Sequence, residues 1–118
     1  MAARAQLFLL PPLFPDPRAG QGPYHCPECL QVEGLLAAFP FLRDRVEVRY
    51  VDFPRPRADV VALIGTENQS CPVLVFAGEP PAGFAAAGRA PSGRSFASGY
   101  AAIAAAFAAA HGTSLPHP

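Results

Sequence analysis

The chain reads as an α/β protein with element order β-α-β-α-β-β-α, a single domain over residues 1–118 built on a mixed four-stranded sheet with flanking helices. Three observations predict this. Short apolar runs of strand length alternate with stretches of helical period. A Cys-x-x-Cys pair, Cys26 and Cys29, stands where the first helical pattern begins. A proline, Pro72, is the second residue of the third strand-like run, a place where a missing backbone N–H is tolerated only at a strand start or an edge.

Residues 5–10 form a continuous apolar run ended by prolines, the pattern of a strand buried on both faces. Residues 11–23 are too rich in proline and glycine for regular structure and form a long loop that delivers the chain to Cys26. Pro27 suits the first position of a helix, because its missing N–H has no partner there. Val32, Leu35, Leu36 and Phe39 continue with the spacing of a core-facing stripe until Pro40 stops it. Gly34 within this helix suggests close contact with the sheet.

After a polar turn, residues 46–53 alternate as a half-buried strand, and a right-handed β-α-β unit with parallel strands is the economical arrangement. Residues 57–64 form a short helix stopped by Gly65, and residues 66–70 a polar loop. The third strand covers 71–76, and a short fourth strand at 94–96 pairs with it antiparallel. Between them, residues 77–91 read as a long connection. Ser98 is the expected cap of a last helix running through Ala110, with Tyr100, Ile103 and Phe107 on one face and Gly112 at its end.

Chemistry concentrates at Tyr24-His25-Cys26-Pro27-Glu28-Cys29. Thiols three positions apart in the first turn of a helix share one face and can form a disulfide without moving the backbone. The unpaired N–H groups and positive dipole end of the helix favour the thiolate form of Cys26, the reactive one. Cys26 is thus the expected attacking sulfur and Cys29, one turn in, the sulfur that resolves a mixed disulfide. Glu28 places a carboxylate near both sulfurs and opposes the thiolate. Cys71 joins them if Pro72 lies beside the dithiol, either as a small buried hydrophobe, as a further disulfide partner, or as the third member of a metal site of Cys26, Cys29 and Cys71.

Composition narrows the alternatives. The formal net charge is zero and 51% of residues are hydrophobic, which gives no electrostatic reason to expect nucleic acid or an anionic membrane as partner. Three cysteines do not make a disulfide scaffold. No apolar stretch is long enough to span a bilayer and no adequate leader pattern opens the chain, so a soluble cytoplasmic protein of undetermined oligomeric state is expected.

The order of elements, with Cys-x-x-Cys after the first strand and X-Pro opening the third, resembles the thioredoxin fold in its compact glutaredoxin-like form. The chain also looks like a small bacterial family of thioredoxin-like proteins of uncharacterised function, carrying a similar Tyr-x-Cys-Pro-x-Cys loop, Phe-Pro-Arg-Pro-Arg stretch and Asn-Gln-Ser-x-Pro-Val-Leu turn. Here these are residues 24–29, 53–57 and 68–74. The resemblance implies that the Cys71–Pro72 peptide is cis and adjoins the dithiol. It further implies a thiol–disulfide oxidoreductase with Cys26 and Cys29 catalytic and with Tyr24, Cys71 and Pro72 contacting a protein or small-molecule thiol or disulfide. No resident cofactor is expected; glutathione would be a co-substrate, with Arg18, Arg55 and Arg57 available to its carboxylates. The alternatives are the three-cysteine metal site and a non-catalytic binding protein.

Overall fold

The computed structural model describes residues 3–118. Strand β1 (Ala5–Leu9) lies inside the sheet, where Leu7, Phe8 and Leu9 are fully buried. Apolar residues at consecutive positions need cover on both faces, and only an interior strand supplies it. On one side β1 pairs in parallel with β2 (Val46–Tyr50), in the register Leu7 opposite Val48. On the other it pairs antiparallel with β3 (Val73–Val75), with Leu7 opposite Leu74.

Helix α1 (Pro27–Ala38) forms the crossover from β1 and buries Cys29, Val32 and Leu36. It ends at Phe39, whose N–H donates to the Leu35 carbonyl immediately before Pro40. The polar turn expected next is instead a one-turn helix, α2 (Leu42–Arg45). Its entry is held by bonds from the N–H groups of Leu42, Arg43 and Asp44 to the carbonyls of Phe39, Pro40 and Phe41, and Leu42, fully buried, anchors it. Helix α3 (Ala58–Ile64) buries Val60 and Ile64 and stops at Gly65, as expected.

The sheet has five strands, which corrects the expected four. Within the presumed connection before the last strand, Gly88 and Arg89 form β4 (Gly88–Arg89), paired antiparallel with β5 (Ser95–Ser98). A side chain at residue 88 would meet the Phe96 ring, since a Cβ there would lie 2.6 Å from it. Glycine is therefore what lets this short strand close on β5. The strand order is β2-β1-β3-β5-β4, with β5 antiparallel to β3 as expected.

Helix α4 (Tyr100–His111) packs against α1 and buries Ile103, Ala104, Ala106 and Phe107. Gly112 closes it in the left-handed conformation, φ 72° and ψ 24°, which costs glycine least. Its start differs from expectation. Ser98 belongs to β5 opposite Val73, Gly99 occupies the cap position, and neither supplies a side-chain cap. Among the described residues, no helix is long and apolar enough to cross a membrane.

Gly34 touches nothing: a Cβ built there has no atom within 4 Å apart from its chain neighbours and its own helix, and the residue is exposed. The close sheet contact expected of it is absent. Gly34→Ala should therefore stabilise the protein by about 1 kcal/mol through helix propensity alone. That corresponds to a melting temperature raised by about 4 °C, measurable by circular dichroism; a decrease would mean that the α1 surface is in contact after all.

Candidate functional site

The site is assembled where the N-terminus of α1, the end of β1 and the turn before β3 converge. Cys26 caps α1 with extended backbone, and its Sγ accepts a hydrogen bond from the Cys29 N–H at 3.2 Å. This is the role a serine or aspartate oxygen usually plays, with sulfur as the acceptor. The pattern Cys-Pro-x-Cys produces it directly, since Pro27 enters the helix without an N–H and the next turn turns its free N–H groups toward residue 26.

Cys29 is only 2% exposed. Its Sγ accepts from the Leu10 N–H at 3.5 Å, so the thiol is held against the end of β1. Burial pushes the Cys29 thiol up to about 12, and the neighbouring Cys26 and Cys71 sulfurs push in the same direction, while the Leu10 N–H draws it down. The two cysteines are unequal in consequence. Cys26 is half-buried at the surface of a cleft and Cys29 is a protonated core thiol.

Cys71 arrives on the turn before β3, in a cis peptide with Pro72 as the resemblance implied. Its carbonyl oxygen lies 3.8 Å from Cys26 Sγ, a separation at which a thiol donates weakly. Pro72 is buried and its own carbonyl accepts from the Gly99 N–H, tying the turn to the entry of α4. Burial raises the Cys71 thiol, and the charge of Arg57 pulls it down. The three cysteines are free and adjoin one another. Among the described residues, however, no three His, Cys, Asp or Glu side chains form a group that could hold a metal ion.

A cleft of about 400 Å³ opens over Cys26, with Tyr24, His25, Phe53, Arg55 and Cys71 in its walls. Tyr24 is positioned by a two-way backbone bridge to Phe14, at 2.9 Å in each direction, which folds the proline-rich loop into a wall. Phe14 in turn stacks on Phe53 at 4.6 Å between ring centres. His25 is exposed. An adjoining larger cleft, about 790 Å³, is lined by Arg18, Arg55 and Arg57 together with Asp16.

Two features escaped the sequence. Arg57, expected at the surface, is 7% exposed. Its Nε and one terminal nitrogen donate to the Phe53 carbonyl at 3.1 and 2.7 Å, and the other terminal nitrogen to the Gln69 carbonyl at 2.8 Å. The Arg57 backbone N–H in turn donates to the Gln69 side-chain Oε1 at 2.7 Å. Among the described residues, no carboxylate forms an ion pair with Arg57, so its charge sits beside Cys71 without a counterion. Glu28 is the second. Rather than facing the sulfurs, its Oε1 accepts from the Tyr100 N–H at 2.9 Å and caps α4 from across the interface. A carboxylate is well placed at a helix N-terminus. The sequence signal was an acidic residue in the first turn of a helix, and the expected Ser98 cap pointed away from it.

The fold and site define a mixed α/β protein with a five-stranded mixed sheet, flanking helices and a cysteine pair at a helix N-terminus. Residues 4–115 match the family described as "Protein of unknown function (DUF3088)", and the chain belongs to that family. No curated protein and no solved structure matches it.

Proposed function

We propose that this protein is a thioredoxin-like thiol–disulfide oxidoreductase. The observation that carries the reading is the environment of Cys26 Sγ: it accepts the Cys29 N–H at a helix start and lies against the carbonyl before cis-Pro72, at the floor of an open cleft. In this reading the Cys26 thiolate attacks a substrate disulfide R–S–S–R′, forms the mixed disulfide Cys26–S–S–R and releases R′S⁻. Cys29 sulfur then attacks Cys26 Sγ and passes its proton to the departing RS⁻. The products are RSH and a Cys26–Cys29 disulfide. Two equivalents of an external thiol reductant restore the starting state.

Tyr24 and Cys71 in the cleft wall would contact the substrate, a protein or small-molecule disulfide, while the buried Pro72 would act by holding the turn that carries Cys71. The arginine-lined side of the cleft suits glutathione as the co-substrate. The bond that Glu28 Oε1 accepts from the Tyr100 N–H supports this reading over a merely binding role.

Equilibration in glutathione redox buffers, followed by alkylation and intact mass measurement, tests the reading. Two of the three thiols should disappear together in one two-electron transition, at a potential between about −270 and −180 mV, the span of dithiol exchange proteins. Three thiols persisting in strongly oxidising buffer would overturn it.

A further inference from the structure

The mechanism just described leaves one thiol unused. We propose that Cys71 is a second resolving thiol, which closes a Cys26–Cys71 disulfide on the cleft side while Cys29 closes its own from the core. The inference rests on the oxidoreductase reading and names a further residue within it.

Three independent placements support it. First, Cys71 shares the cleft wall with Cys26, whereas Cys29 lies behind, nearly inaccessible and bonded to the Leu10 N–H. Second, Cys26 Sγ is already 3.8 Å from the Cys71 carbonyl oxygen. That contact sets the Cys71 backbone beside the Cys26 sulfur; a disulfide bridges Cα atoms about 4.4–6.8 Å apart, the separation the cross-link has to reach. Third, burial raises the Cys71 thiol, but the Arg57 guanidinium, held by the Phe53 and Gln69 carbonyls and without an ion-pair partner among the described residues, offsets part of that rise. No comparable cation serves Cys29, where burial and sulfur neighbours both hold the proton on.

The step balances without any new reagent. In Cys26–S–S–R, the S–S bond between Cys26 Sγ and the sulfur of the RS group breaks and a bond between Cys26 Sγ and Cys71 Sγ forms. RS⁻ leaves and takes the proton of Cys71 to become RSH; Cys71 is oxidised and the RS sulfur reduced. The resulting disulfide faces solvent and an incoming reductant, and a later attack by Cys29 on Cys26 would move it inward. The chain would thus hold its oxidising equivalent in either of two places.

The test uses the full chain carrying Cys29→Ser, reduced and treated at low protein concentration with one equivalent of 5,5′-dithiobis(2-nitrobenzoate). Expected are two equivalents of thionitrobenzoate released per protein, an intact mass with no adduct, and a Cys26–Cys71 cross-link in the peptide map. The double variant Cys29→Ser, Cys71→Ser should release one equivalent and retain the adduct. One equivalent released by the single variant, with the adduct on Cys26 and Cys71 still open to alkylation, overturns the proposal. Should circular dichroism show that Cys29→Ser does not fold, the same mapping is made on acid-quenched wild-type protein. There, an early Cys26–Cys71 cross-link supports the proposal, and Cys26–Cys29 alone at every time point overturns it. If wild-type protein itself keeps the adduct and forms no internal disulfide, the oxidoreductase reading fails rather than the assignment of Cys71.

Discussion

Cys26→Ser should abolish disulfide exchange, lowering the rate with a small disulfide by at least about 1,000-fold, because a hydroxyl at neutral pH is a far weaker nucleophile than a thiol. The fold should be unaffected. Serine is a good helix cap, and its oxygen can take the Cys29 N–H that the sulfur accepts. A melting temperature close to wild type together with lost exchange separates chemistry from structure. Cys29→Ser, in contrast, leaves the first attack intact, since the buried thiol acts only after the mixed disulfide has formed. Retention of exchange in Cys26→Ser would assign the attack to another sulfur and remove the role given to the helix start.

Arg57→Ala should be strongly destabilising. It leaves the Phe53 and Gln69 carbonyls without the three donors they have and empties the space over the Phe53 ring. Losing buried hydrogen bonds to a charged group costs about 3 kcal/mol or more, on the order of 10 °C in melting temperature for a chain of this size. Lysine is a partial substitute only, because one ammonium cannot reproduce the planar fork that reaches both carbonyls. Urea denaturation of wild type, Arg57→Lys and Arg57→Ala should give midpoints falling in that order. Equal midpoints would mean that the arginine is solvated despite its burial.

The sequence revealed most where one residue decides its own conformation. Pro27 after Cys26 marks a helix start, Pro40 a helix end, and the fully apolar Leu7-Phe8-Leu9 an interior strand; each holds in the fold. The cis Cys71–Pro72 peptide was legible through resemblance. What stayed hidden depends on partners far along the chain. Glu28 and Tyr100 meet across 72 positions, and Arg57 is buried by carbonyls on two separate turns. An arginine that follows Pro54-Arg55-Pro56 has the setting of a surface loop, and nothing local reveals that Phe53 and Gln69 will close over it. The two-residue β4 and one-turn α2 are likewise too short to show a period, and exist because Phe96 and Leu42 have places to pack.

The strand order β2-β1-β3-β5-β4 bears on how this molecule would meet other chains. Each end of the sheet is a line of backbone donors and acceptors onto which a stray polypeptide can add, the usual route to aggregation. At one end, β4 offers two residues before Ala90 and Pro91, too few to template anything. At the other, β2 carries Glu47 and Arg49, with Arg49 bonded to Gln6 and paired with Asp59. Both borders therefore discourage strand addition. A protein proposed to act on protein or small-molecule disulfides would otherwise risk being glued to its protein substrates along its rims.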